Sequence, residues 1–95
     1  MTAIDYRVTL TLDGFPFSDI DRVDRLLDNL MRDAAGNGPM LDEEREKSQV
    51  NVTVTVSAPD AAAAVYAATR IVERATGGLS SVRIVRVEAG AADLK

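Results

Sequence analysis

Three apolar/polar alternating runs, two of them followed by helix-length amphipathic stretches, predict an α+β sandwich. The runs are Ile4 to Leu12, Val50 to Val56 and Val82 to Glu88. Helical periodicity fills the stretch from Ser18 to Ala34 and the stretch from Asp60 to Ala75. The segment Pro39 to Ser48 decides whether the sheet has a further strand.

In the first run Ile4, Tyr6, Val8, Leu10 and Leu12 alternate with Asp5, Arg7, Thr9 and Thr11. Side chains of a strand point to opposite faces in turn, so this pattern buries one face and leaves the other polar. Asp13 and Gly14 close the strand, and Phe15-Pro16-Phe17 makes the connection. Ser18 with Asp21 reads as a capping box using the shorter acid. Ile20, Val23, Leu26, Leu27, Leu30, Met31 and Ala34 then recur at three and four, an apolar stripe on one helix face. Asp21, Arg22, Arg25, Asp28 and Arg32 lie off that stripe. Gly36-Asn37-Gly38-Pro39 stops the helix with residues that accept left-handed dihedrals, followed by one that cannot continue it.

Met40-Leu41 and the charged run Asp42 to Lys47 are read as a short edge strand and hairpin loop, with a brief helical turn as the alternative. A short charged edge is one way a sheet avoids pairing with other chains. The next strand turns Val50, Val52, Val54 and Val56 inward and Asn51, Thr53, Thr55 and Ser57 outward. Pro59 in the first turn and Asp60 near the positive dipole end start the second helix. Its expected buried stripe is Ala61, Ala64, Val65, Ala68, Ile71, Val72 and Ala75, and Gly77-Gly78 is its expected stop. In the last strand the parity slips between Ile84 and Val85, which calls for a bulge or burial on both sides. The order βαββαβ is that of a ferredoxin-like sandwich, an antiparallel or mixed four-stranded sheet with both helices on one face. A three-stranded βαβαβ arrangement is the alternative. Residues 1–90 are expected to form this one domain, with fraying from Ala89 and a flexible tail over 91–95.

The 95 residues include no cysteine and no histidine, which removes disulfides, thiol catalysis and the commonest general base. Only Lys47 and Lys95 are lysines, and no serine has a base beside it in sequence, so no enzyme and no cofactor is expected. Asp42, Glu43, Glu44 and Glu46 lack the spacing and turn glycine of a calcium loop. No apolar stretch approaches the roughly 20 residues of a membrane span, and no signal peptide is legible, so the chain reads as cytoplasmic. A net charge of −4 disfavours nucleic acid and anionic membranes as general partners.

With both helices on one side, the parity leaves Arg7, Thr9, Thr11, Asn51, Thr53 and Thr55 on an open sheet face. RNA-recognition domains of this topology stack bases on aromatic rings there, and these positions hold none. A threonine-rich face reads either as a solvated face of good strand formers or as a semi-polar protein interface. These six residues are the candidate binding surface of a regulatory or interaction module, with a homodimer or another protein as partner. Phe15 and Phe17 either cap the core under the first helix or form a second candidate patch, a small-ligand sensor at the loop after the first strand. A weak nucleic-acid contact through Arg7, Arg83 and Arg86 is the third reading.

The run Val50-Asn51-Val52-Thr53-Val54-Thr55-Val56-Ser57-Ala58-Pro59-Asp60 with the alanines to Val65, and later Val82-Arg83-Ile84-Val85-Arg86-Val87-Glu88, carries a resemblance. Together with Leu10-Thr11-Leu12-Asp13-Gly14 it resembles a group of small actinobacterial and actinobacteriophage proteins with a ferredoxin-like N-terminal domain. Some of those proteins continue into a helix-turn-helix after the last strand. The chain ends at Lys95, so the resemblance implies a standalone interaction or sensing module.

Overall fold

The computed structural model describes residues 3–76 and 82–91. The elements are β1 (Ile4–Asp13), α1 (Ile20–Asp33), β2 (Met40–Glu44), β3 (Gln49–Ala58), α2 (Ala61–Ala75) and β4 (Arg83–Ala91). Short 3₁₀ turns occupy Ala35–Asn37 and Arg45–Lys47. The four strands form one sheet in the order β2-β3-β1-β4, and every neighbouring pair is antiparallel. The architecture is therefore α+β, four strands and two helices, compatible with a ferredoxin-like arrangement. The three-stranded alternative fails because Met40–Glu44 pairs along β3, from Met40 opposite Thr53 to Glu44 opposite Gln49. The helical turn that competed with this strand exists as well, just after it, at Arg45–Lys47.

The valines and leucines of the central strands do what their alternation demands. Val8, Leu10, Leu12, Val50, Val52 and Val54 are fully buried, packed with Leu26 and Leu30 of α1 and Ala64, Ala68 and Val72 of α2. Each such valine or leucine contributes about 1.5–3 kcal/mol by leaving water. Both helices share this core, so the opposite sheet face stays uncovered. The alanines of α2 are narrow, which lets its backbone lie close over β1, β3 and β4.

Several expectations need correction. The apolar stripe of α1 is narrower than its sequence spacing: Ile20 and Met31 are exposed, because the sheet and α2 cover only the arc around Val23, Leu26 and Leu30. In α2, Ala61 lies exposed in the first turn, and Val65 and Ile71 are half-buried. The cap of α1 is Asp19, whose carboxylate accepts the Arg22 amide at 3.2 Å, and Ser18 lies outside the helix. Asp60 caps α2 by accepting the Ala63 amide at 2.8 Å. Pro59 therefore precedes the cap instead of occupying the first turn. β4 does not fray at Ala89; Ala89, Gly90 and Ala91 pair with Val8, Arg7 and Tyr6. The Gly77-Gly78 stop and the tail residues 92–95 lie outside the described residues.

The parity slip in β4 is a bulge. Thr11 pairs with Arg86 and Leu12 with Ile84, leaving Val85 as the extra, exposed residue. The extra residue returns Ile84 to the core side while Arg86 stays outward. At the same end of the sheet, across from β4, Ser48 closes the β2–β3 connection at φ 55°, and its carbonyl accepts the Phe15 amide at 2.9 Å. Gly38 follows the first 3₁₀ turn at φ 56° with open space around it, so glycine is used there for the dihedral and not for room. Among the described residues no helix is long and apolar enough to cross a membrane.

Candidate functional site

The register of the four strands lays the open face out in cross-sheet rows. Reading from β2 to β4, one row is Met40, Thr53, Thr9 and Glu88. The next is Asp42, Asn51, Thr11 and Arg86. Glu44, Gln49, Asp13 and Arg83 follow towards one end, and Thr55, Arg7 and Gly90 lie towards the other. The six residues expected to share this face are thus brought together on β1 and β3, with Arg7 exposed and the other five half-buried by their neighbours.

The polar groups in the middle bond sideways to one another. The Thr9 and Thr53 hydroxyls are 2.9 Å apart. The Thr11 hydroxyl donates to Asn51 Oδ1 at 2.7 Å, and Asn51 Nδ2 donates to Glu44 Oε2 at 3.0 Å. Gln49 Nε2 donates to Asp13 Oδ1 at 3.2 Å. Cross-strand pairs of this kind are the units that hold a sheet face together, each contributing about 0.2–1 kcal/mol.

Both margins carry charge, and Glu88 stands beside the arginines on the β4 margin. Asp42 and Glu44 stand on the β2 margin, and Arg83 and Arg86 on the β4 margin. Arg83 Nη2 lies 3.6 Å from Asp13 Oδ2, Arg86 pairs with Glu88, and Lys47 Nζ reaches Glu44 Oε1 at 3.4 Å. A shallow groove of ≈ 490 Å³ runs across the face, bounded by Met40 and Asp42 on one side and Arg86 and Glu88 on the other. Sequence reasoning placed the interface on the two central strands and named Arg83 and Arg86 only for the nucleic-acid reading. The outward parity of Met40, Asp42, Arg86 and Glu88 was the available signal, but it became usable only once β2 was paired and the Val85 bulge was counted.

Phe15 and Phe17 belong elsewhere. Phe15 is 3% exposed within the core cluster, and Phe17 lies half-buried with its ring centroid 5.6 Å from that of Phe15. The Arg45 guanidinium covers Phe17 at 5.0 Å from its centroid and is held there by Glu43 at 3.0 Å. These rings close the end of the core and fix the β1–α1 connection over the Arg45–Lys47 turn. Among the described residues no group of three or more aspartates, glutamates, histidines or cysteines is placed to hold a metal ion. Among the described residues, Arg7, Arg83, Arg86 and Lys47 lie on the face or its rim with no aromatic ring beside them.

No family model matches the chain, and no curated protein matches it. Among solved structures, it is similar to an uncharacterized protein, TM1266, from Thermotoga maritima. The two share 11% identity over 96% of this chain and 99% of the other, with a TM-score of 0.47.

Proposed function

We propose that the chain is a ferredoxin-like domain acting in the cytoplasm, without catalysis, as a protein-interaction module that self-associates through its open sheet face. The fold assignment is supported by the strand order, which read from the other margin is β4-β1-β3-β2 with all neighbours antiparallel. Two β-α-β units interleaved in one sheet generate that order. The proposed kinship with small actinobacterial and phage proteins rests on the strand and helix sequences Val50 to Val65 and Val82 to Glu88.

The observation that carries the interaction reading is the internal pairing of the central polar groups. A hydroxyl that depends on water leaves an orphan when it is covered, at about 1–3 kcal/mol each. Thr11 donates to Asn51, and Thr9 and Thr53 share one hydrogen bond, so a second surface covering them strands fewer donors than it would on a face of unpaired hydroxyls. Three strands of about 30 Å and the five-residue β2 of about 17 Å, each about 4.8 Å wide, give on the order of 500 Å² per copy. The resulting total of about 1,000 Å² is the least expected of a biological interface.

Sedimentation equilibrium of the purified chain over a wide concentration range tests this reading. A reversible monomer–dimer equilibrium is expected. A single species of monomer mass up to the highest concentrations would sink it.

A further inference from the structure

We propose, building on the self-association reading, that the second copy docks about a twofold axis running parallel to the strands between β1 and β3, so that Asp42 and Glu44 of each copy meet Arg86 and Arg83 of the other.

Two isologous dockings are available to a sheet face, one about an axis along the strands and one about an axis across them. The strand order decides what each brings together. β3 and β1 are the inner pair and β2 and β4 the outer pair, so the midline between β3 and β1 divides the sheet evenly. Rotation about an axis along that midline exchanges β1 with β3 and β2 with β4 while keeping every row at its own height. Thr9 of one copy then lies over Thr53 of the second copy, and Thr11 over Asn51. The row Asp42, Asn51, Thr11, Arg86 meets itself reversed, which sets Asp42 against Arg86 at both ends. The row Glu44, Gln49, Asp13, Arg83 does the same for Glu44 and Arg83. Arg7 lies over Thr55, with no like charge opposite.

Rotation about an axis across the strands instead lays β2 over β2 and β4 over β4 with the rows reversed, so Asp42 and Glu44 of one copy never face Arg86 and Arg83 of the other. Ion pairs between the β2 and β4 margins therefore form only in the first docking, whereas the threonine centre alone treats the two geometries as equal. Face-to-face sheets pack about 10 Å apart, a gap that an arginine and an aspartate reaching from opposite sides span. Arg86 is 69% exposed at its side chain, so its guanidinium can keep Glu88 and take Asp42 of the second copy on another edge.

The test uses three variants of the full chain: Asp42→Arg, Arg86→Asp, and the double reversal Asp42→Arg with Arg86→Asp. Both positions are exposed, and circular dichroism with a thermal melt verifies that each variant folds. Each single variant is expected to weaken self-association on the order of tenfold or more, because two attractive pairs become repulsive. The double reversal restores dimerisation, since both pairs re-form with their signs exchanged. Mixing the two single variants yields heterodimer in preference to either homodimer by native mass spectrometry, because every facing pair is then opposite in charge. A dimer that ignores both single reversals, or single variants that fail to prefer each other when mixed, would overturn this axis while leaving self-association standing. A wild-type chain that stays monomeric overturns the underlying reading instead.

Discussion

Replacing Thr9 and Thr53 together by arginine separates the stability of the domain from the integrity of the proposed interface. The two threonines are directly opposed across β1 and β3, with hydroxyls 2.9 Å apart at the centre of the open face. Within one copy the double variant loses a hydrogen bond with a net contribution of about 1 kcal/mol. It adds a like-charge cross-strand pair worth about 0.2–1 kcal/mol of destabilisation, because both side chains can extend into water. The folded state is therefore expected to lose only about 1–2 kcal/mol against a total typically near 5–15 kcal/mol. Across the interface the effect is larger. With sheets about 10 Å apart and an effective dielectric near 20, each facing arginine pair repels by about 1.7 kcal/mol. The twofold creates two such pairs, so dimerisation is expected to weaken by about 3 kcal/mol, more than a hundredfold in the dissociation constant. Sedimentation equilibrium reads the association, and urea unfolding at a concentration where both proteins are monomeric reads the fold. Unchanged association by a natively folded double variant would refute the sheet-face interface. The matching Thr9→Val with Thr53→Val variant is expected to keep or tighten the dimer, since removing both partners of a hydrogen bond leaves no orphan.

The remaining expectations concern the scaffold. Leu10→Ala, at a fully buried position facing both helices, is expected to destabilise by about 2.7–5 kcal/mol in urea unfolding. A loss under about 1 kcal/mol would mean that the core is not packed around β1. Asp60→Ala removes the carboxylate that accepts the Ala63 amide and should cost about 1 kcal/mol, while Asp60→Asn retains most of the cap. Equal melting temperatures for the two variants would contradict Asp60 as the cap. Ser48→Gly relieves a non-glycine residue at φ 55° and keeps the backbone bonds to Arg45 and Phe15. Relief of left-handed strain exceeds the added freedom of the unfolded chain, so a gain of about 0.5 kcal/mol in the thermal melt is expected. A fall in melting temperature would show that the serine side chain contributes more than its backbone strain removes.

Features that depend on neighbours close along the chain were legible in the order of the residues alone. Period-two alternation identified β1 and β3 and sorted their side chains, so Arg7, Thr9, Thr11, Asn51, Thr53 and Thr55 were legible as one face before any fold was known. Helical spacing located α1 and α2 and most of their buried residues, and the parity slip marked the bulge beside Val85. Contacts between distant segments decided the rest. A stripe of apolar spacing cannot state how wide an arc the sheet will cover, which is why Ile20 and Met31 end in water. The residue that caps a helix depends on where the preceding loop lets the helix begin, so Asp19 took the role that the spacing assigned to Ser18. Phe15 was read from sequence position as a ligand loop or a core plug, and its burial among strand and helix side chains places it in the core. Strand order was the most consequential of these decisions. Periodicity within a strand carries no information about its neighbour, and pairing is set by loop closure and long-range burial. Only the order β2-β3-β1-β4 sends Asp42 and Glu44 to one margin and Arg83 and Arg86 to the other, which turns an ordinary charged loop and an ordinary basic strand into the complementary margins of a single face.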